Sequence, residues 1–379
     1  MNVSQMILYE WRAIWKDKRI LAVLLIIPVA YMLIFGSMYG QGQVQNLATV
    51  YVDESNTPLS QQIIQAFDTS HSFSIEGRLF SEEELVKQIE RGQAAVGLII
   101  PKDLTDKIMQ DKHSEIMIII DGSNIMISNA AIRNANEIIQ TFSAGISAKR
   151  LEAKGIELNQ AHSIQYAYRI FYNPGFSYGI FMLIGLLGAV IQQVLFLGIS
   201  LAVTREKETD RWVEYLEHWQ QPWKIIYAKF VPYFLIGIFN LLFNIGVLQF
   251  LFNIPVLGST ALLIVLSLAF VLSLLGIGFL ASLTAKTQLQ ATQITMLIAM
   301  PSFLLSGFTW PFDAMPTWVA YLGHALPLTY FLNGLRELAI KGNGWEMISA
   351  DVYILFFMAS LSILLSLFLL HVQGKKEYS

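Results

Sequence analysis

The chain has 379 residues, 54% of them hydrophobic and only 14% charged, whereas an ordinary soluble protein carries about 25% charged residues. With a mean hydropathy of +0.51, this composition excludes a soluble globular protein and leaves a membrane protein. The net charge of −3 lacks the cationic excess needed to neutralise phosphates, so nucleic acid is excluded as a partner, and the absence of cysteine rules out disulfides, thiolate nucleophiles and Cys-ligated metals.

In chain order, residues 6–19 repeat Ile7, Trp11, Ile14 and Trp15 at helical spacing, opposite Glu10, Arg12 and Lys16. This pattern predicts an amphipathic helix (1–19) along the inner leaflet, serving as a connecting helix or simply as a topology anchor. An uncharged run at 20–39 follows. Signal-peptide cores are usually about 7–15 residues, so this longer run reads as an uncleaved first span. Residues 41–169 then change character. Apolar runs at 48–52, 73–75, 95–100 and 116–120 alternate with helical patterns at 59–67 and 81–91, the latter opening on Ser81 and Glu84 as a capping box. A short helix follows Pro101, and a long polar helix runs toward Arg150. This is an α/β domain on a helical stalk.

Five further uncharged windows, at 176–203, 230–252, 257–285, 287–311 and 352–370, each approach the ~20 apolar residues that a bilayer core demands. The fold class expected is a multi-pass α-helical membrane protein of six transmembrane helices with an inserted extracytoplasmic α/β domain. Lys and Arg in short loops set the orientation. With the N-terminus inside, the inner segments hold twelve (Arg12, Lys16, Lys18, Arg19, Arg205, Lys207, Arg211, Lys224, Lys229, Lys286, Lys375 and Lys376) and the short outer loops hold two, Arg336 and Lys341. Both termini are thereby expected in the cytoplasm. Between the last two spans, 310–350 is broken by Pro311, Pro316 and Pro327 and reads as two short helices, interfacial or re-entrant, with Trp310, Trp318, Tyr321 and Tyr330 at headgroup level.

No window holds an Asp, Glu, Lys or Arg of the kind that marks proton or ion coupling, and the chain has neither a phosphate-binding loop nor an H-E-x-x-H zinc helix. Energy must then come from another chain. Residues 205–219, REKETDRWVEYLEHW, carry Trp212, Tyr215, Leu216 and Trp219 at i, i+3, i+4 and i+7 beside the charges of Arg205, Glu206 and Glu208. That stripe is read as a cytoplasmic helix gripping a partner, or as a loop resting its aromatic side on lipid. Inside the spans, Gln192, Gln193, Asn240, Asn244 and Gln293 are candidates either for interhelical hydrogen bonds or for lining a translocation path. No nucleophile, base and orienting group can be nominated together, so an enzyme is not expected.

The order of amphipathic helix, span, large outer domain and five further spans resembles the permease subunits of type-2 ABC exporters. SGFTWPFDAMPTWVAYLGHALPLTYFLNGLRELAIKG at 306–342 is similar to the family signature S-G-F-x-x-P, M-P-x-W, P-x-T-Y and L-R, here Ser306, Gly307, Phe308, Pro311, Met315, Pro316, Pro327, Tyr330 and Arg336. TREKE at 204–208 and AKFVPY at 228–233 resemble the family's charged loop and third-span entry. The chain departs from the pattern after TREKE, where Thr209, Asp210 and Arg211 replace a Gly-Thr pair and the next proline is Pro222. The resemblance implies a half-transporter in a prokaryotic cell membrane, moving a lipophilic, drug-like, lipid, peptide or ion cargo outward. Its partners would be a separate ABC ATPase subunit, a second permease copy or a homologous permease, and membrane lipid. No cofactor is expected on this chain, with ATP and Mg in the partner ATPase. The coupling helix at 205–219 and the connecting helix around Trp11 and Trp15 would grip that ATPase. Two other readings stay open: a membrane-anchored receptor displaying the outer domain, and a mechanotransmission-type ABC subunit.

Overall fold

The computed structural model describes residues 2–40, 44–110, 112–153, 171–173, 177–209, 211–217 and 220–378. The chain divides into two compact units, Met1–Gly42 with Ile170–Ser379, and Gln43–Arg169.

The first unit is helical. Helix α1 (Val3–Lys16) is followed by α2 (Lys18–Leu21), a π-helical turn (Ala22–Ile26) and α3 (Ile27–Tyr39), the last three forming one continuous apolar span. After the insertion come α8 (Tyr178–Glu208), α9 (Trp212–Leu216), α10 (Pro222–Leu251), α11 (Thr260–Thr284), α12 (Gln288–Leu305), α13 (Thr317–His324), α14 (Pro327–Ala339) and α15 (Trp345–Tyr378). Among the described residues, five helices are long and apolar enough to cross a membrane: Lys18–Tyr39, Tyr178–Glu208, Pro222–Leu251, Thr260–Thr284 and Trp345–Lys376. The remaining expected window forms α12, an 18-residue helix whose first two turns carry Gln288, Gln290 and Gln293. Those amides dilute its apolar character below that of the other five.

Helix α8 is the centre of the bundle, packed against α3, α10, α11, α12 and α14. Close approach is possible because small residues sit at the crossings. A Cβ at Gly278 of α11 would lie 2.3 Å from Cγ2 of Ile199 on α8, and one at Gly276 would lie 2.0 Å from Oγ of Ser362 on α15. The helices also overrun the uncharged windows: α8 continues through Glu208, α10 begins at Pro222, and α15 begins at Trp345. Charged residues read from sequence as loop thus belong to helix ends. Of the two helices expected in 310–350, α13 leaves Trp318 and Tyr321 exposed, whereas α14 buries Leu328, Phe331, Leu332 and Leu335 in the bundle core, with Phe331 stacked on Phe270 at 4.0 Å. Tyr330 is half-buried against the bundle core, and its hydroxyl donates to the carbonyl of His324 at 2.7 Å.

The second unit holds β1 (Leu47–Asp53), α4 (Pro58–Thr69), β2 (Phe73–Leu79), α5 (Glu82–Glu90), β3 (Val96–Ile100), α6 (Leu104–Met109), β4 (Met117–Ile120) and α7 (Ile125–Ala153). The sheet order is β2-β1-β3-β4, with β1 parallel to both neighbours and β4 antiparallel to β3. Parallel neighbours need helical crossovers, which α4 and α5 provide. One face buries Ile63, Phe67, Phe73, Leu98 and Ala131; the other buries Val50, Val52, Leu79 and Leu85. The elements read from the sequence are all present. At the start of α5, Ser81 accepts from the Glu84 amide, but the Glu84 carboxylate reaches back to Phe80 instead of Ser81, so only half of the expected capping box forms. The end of the expected stalk, beyond 153, lies outside the described residues.

Candidate functional site

Successive residues of an α-helix point about 100° apart, so four in a row cover most of its circumference. The last turn of α8, Arg205 to Glu208, uses this spread to meet four other helices. Arg205 donates through Nη2 to Oε1 of Glu10 on α1 at 3.0 Å. Glu206 accepts from Nζ of Lys229 on α10 at 3.3 Å. Lys207 donates to the carbonyls of Leu283 and Ala285, both at 2.7 Å, at the end of α11. Glu208 accepts from the backbone amide of Gln288 at 2.7 Å, at the start of α12. The charged motif is a junction of five helices.

Its interior is ionic. Glu10, Glu206 and Lys229 are all 1% exposed or less. Lys229 Nζ lies 2.5 Å from Oε2 of Glu10 and 4.5 Å from the centroid of the Tyr215 ring, and the Tyr233 hydroxyl donates to Oε1 of Glu10 at 3.0 Å. Two carboxylates and two cations balance in charge. Burial alone drives the Glu10 carboxyl upward, but the charges of Lys229 and Arg205, then hydrogen bonds from Lys229 and Tyr233, outweigh it and hold the group below the ordinary carboxylate range. Glu10 is therefore an anion at neutral pH.

This placement corrects the reading of α1. Its buried face is Met6, Glu10 and Ile14, so Glu10 is not on the water side, while Trp15 is 51% exposed and Trp11 is half-buried, with ring centroids 6.4 Å apart. In the sequence Glu10 shares i, i+4 and i+8 spacing with Met6 and Ile14, but the Ile7, Trp11, Ile14 and Trp15 stripe places it on the opposite face. Its partner, Lys229, stands one residue before an uncharged window and reads as an ordinary loop cation.

The segment 205–219 is also not one helix. Arg205 to Glu208 complete α8, and α9 is a separate five-residue helix. Trp212, Tyr215 and Leu216 are buried in the bundle core, so the stripe is satisfied within this chain and is not an open apolar surface. The exposed side of α9 and its flanks is Arg211, Val213, Glu214 and Glu217. Arg211 reaches back to α1, donating to the Tyr9 hydroxyl and lying over its ring. Trp219 lies outside the described residues.

The polar candidates within the spans separate by environment. Asn240 donates to the carbonyls of Leu24 and Ile236, and Asn244 to the carbonyl of Asn240, so both tie helices together or brace α10. Gln192 is fully buried in α8, and neither amide atom has a partner among the described residues. Gln193 is half-buried and Gln293 is exposed on α12. The family-like signature folds into a tight return from α12 to α14. Ser306 donates to the carbonyl of Phe303 and accepts from the Phe308 amide, and Gly307 adopts φ +74°, where a Cβ would meet the Phe312 ring at 2.3 Å. Phe308 stacks on Phe181 at 4.7 Å, with the Arg336 guanidinium 6.0 Å from its centroid. Pro311, Met315 and Pro316 flank the short turn before α13, and Pro327 opens α14. These residues shape the fold at the end of the bundle reached by the α12–α14 connection.

Comparison with known proteins agrees with this architecture. The model of the ABC-2 family transporter protein matches residues 18–368. A probable multidrug ABC transporter permease, YbhR of Escherichia coli K12, is 25% identical over 89% of this chain and 90% of its own length. A second, YbhS of the same strain, is 26% identical over 95% of this chain and 93% of its own. ABC transporter G family member 20 of Dictyostelium discoideum is 27% identical over a shorter stretch, 24% of this chain and 12% of that protein.

Proposed function

Because the chain belongs to the ABC-2 transporter family and is a transmembrane permease subunit of an ABC transporter, we propose that it exports lipophilic, drug-like compounds using ATP hydrolysed by a separate subunit docked at the five-helix junction. The observation that carries this reading is the wiring of Arg205 to Glu208 into α1, α10, α11 and α12. A push on α9 or α1 reaches every one of those helices. A displayed receptor has no use for such a junction. The names of the Escherichia coli relatives favour drug-like cargo.

In this reading α12 is a sixth crossing. Its 18 residues span ~27 Å, close to the ~30 Å hydrocarbon core. An even number of crossings also returns both Lys-rich ends to the cytoplasm, as the Lys and Arg distribution demands. Helix α12 exposes Gln293 in line with Leu289, Leu297, Met300 and Leu304. An amide facing lipid is costly, so this face is assigned to a second permease copy and to the path between the copies. The ATPase is assigned to the exposed Arg211, Val213, Glu214 and Glu217 together with Trp15. The protein is placed in a prokaryotic inner or plasma membrane.

Affinity-tagged chain isolated from membranes of its native host is expected to carry a vanadate-sensitive ATPase subunit and a second permease. Isolation without any nucleotide-hydrolysing partner overturns the reading. Orientation is checked separately in the cysteine-free chain. A cysteine at Ser70 should react with an impermeant maleimide in intact cells and one at Thr209 only after lysis; the reverse pattern inverts the topology.

A further inference from the structure

Lys207 and Glu208 carry opposite charges and hold opposite kinds of helix end. Lys207 donates to the carbonyls of Ser282, Leu283 and Ala285, groups at the end of α11 where no further turn supplies amides. Glu208 accepts from the amide and side chain of Gln288, at the positive end of α12, through both carboxylate oxygens. Each charge thus complements the dipole of the helix it touches. Only Ala285, Lys286 and Thr287 separate those two helices, and this turn is stiffened from within, since Thr287 accepts from the Gln290 amide and Gln290 from the Lys286 amide. The last turn of α8 therefore grips a rigid corner from both sides.

That corner leads directly into α12. The helix buries only Ala291, Thr295, Ala299 and Ser302, all small, on one face. Its seam with α8 is a close packing of these small residues, joined by Ile298 and Phe303 against the core, and its first turn is held by the charged corner. We propose that Lys207 and Glu208 are a positioning pair, by which displacement of the segment around α9 is passed through the α11–α12 corner to α12 and to Gln293 on its exposed face. The proposal rests on the ATP-driven reading above and adds the route by which force reaches the path. Arg205 and Glu206, by contrast, hold α1 and α10 and leave α12 untouched.

The test uses Gln293→Cys in the otherwise cysteine-free full chain, in membrane vesicles from its native host, with maleimide labelling measured with and without Mg-ATP plus vanadate. The labelling rate should differ between the two conditions in the Gln293→Cys chain with the junction intact. That difference should be lost on adding Lys207→Met or Glu208→Gln and retained with Lys207→Arg, which still donates to the α11 carbonyls, while the ATPase subunit still co-purifies. A purely structural role would lower membrane yield without erasing the nucleotide dependence. If Lys207→Met fails to accumulate, Glu208→Gln, at an exposed position, carries the test. A full difference surviving in Glu208→Gln overturns the proposal alone. Loss of ATPase co-purification also overturns it, because the pair would then hold the ATPase and not α12. No difference in the chain with the intact junction removes the ATP-driven reading together with the proposal.

Discussion

Replacing Glu10 with alanine is expected to destabilise the helical unit by about 3–5 kcal/mol, the cost of stranding a buried charge when its partner is removed. Lys229 and Glu10 are both 0% exposed, and Lys229 would keep Glu206, at 3.3 Å, as its one anionic partner among the described residues. Neutralising both partners at once, Glu10→Gln with Lys229→Met, should cost less than the two single changes added together. The coupling is expected at about 0.5–3 kcal/mol, the range for residues in one network. Thermal unfolding of the purified protein in detergent measures all four states of this cycle. Strict additivity would mean that the pair is not a coupled unit.

The same carboxyl predicts a pH profile. Because its folded pKa is held below the ordinary value, its contribution is complete above the ordinary carboxylate pKa and is lost as pH falls through the lowered folded value. The wild-type melting temperature should then exceed that of Glu10→Gln by a constant margin through neutral pH. The margin should close only in acid, below about pH 4. A margin that closes between pH 6 and 8 would show that another group sets it.

The second large effect concerns α9. Trp212→Ser and Leu216→Ser remove buried side chains, and large-to-small changes in a packed core cost about 2–5 kcal/mol each. Both are expected to lower the yield and melting temperature of the permease itself, whether or not the ATPase is present. Glu214→Lys with Glu217→Lys, on the exposed side, should leave melting unchanged and reduce ATPase co-purification, most strongly at raised salt, as charges at an interface rim do. The opposite outcome, with Trp212→Ser and Leu216→Ser stable but unable to hold the ATPase, would restore the aromatic stripe as the docking surface. Melting in detergent and co-purification from membranes, made on the same variants, separate these outcomes.

Much of the architecture was legible in residue order because it depends on local chemistry. Uncharged runs near the length of a bilayer core mark helices whatever they pack against, and the alternation of short apolar runs with capped polar helices marks the α/β insertion. The positions of β1 to β4 and α4 to α7 follow from period and punctuation alone. Membrane helices do not end where charge begins, however. Arg205 to Glu208 continue α8 because each charge finds a partner on a neighbouring helix, and no linear window contains those partners.

Which face of an amphipathic helix turns inward was likewise decided only by tertiary structure. By periodicity Glu10 belongs with Arg12 and Lys16 in water, and Trp212 and Leu216 form a face in need of a partner. Helix α10 settles the first by bringing Lys229 and Tyr233 against Glu10, 219 and 223 residues away in the chain. The bundle core settles the second by absorbing Trp212, Tyr215 and Leu216. Residue order alone determined that this is a multi-pass membrane protein with an inserted α/β unit, because hydropathy and turn chemistry act over a few residues. The ionic junction was decided by the packing of α1, α8 and α10, because a buried charge is tolerated only where distant segments deliver its counter-charge.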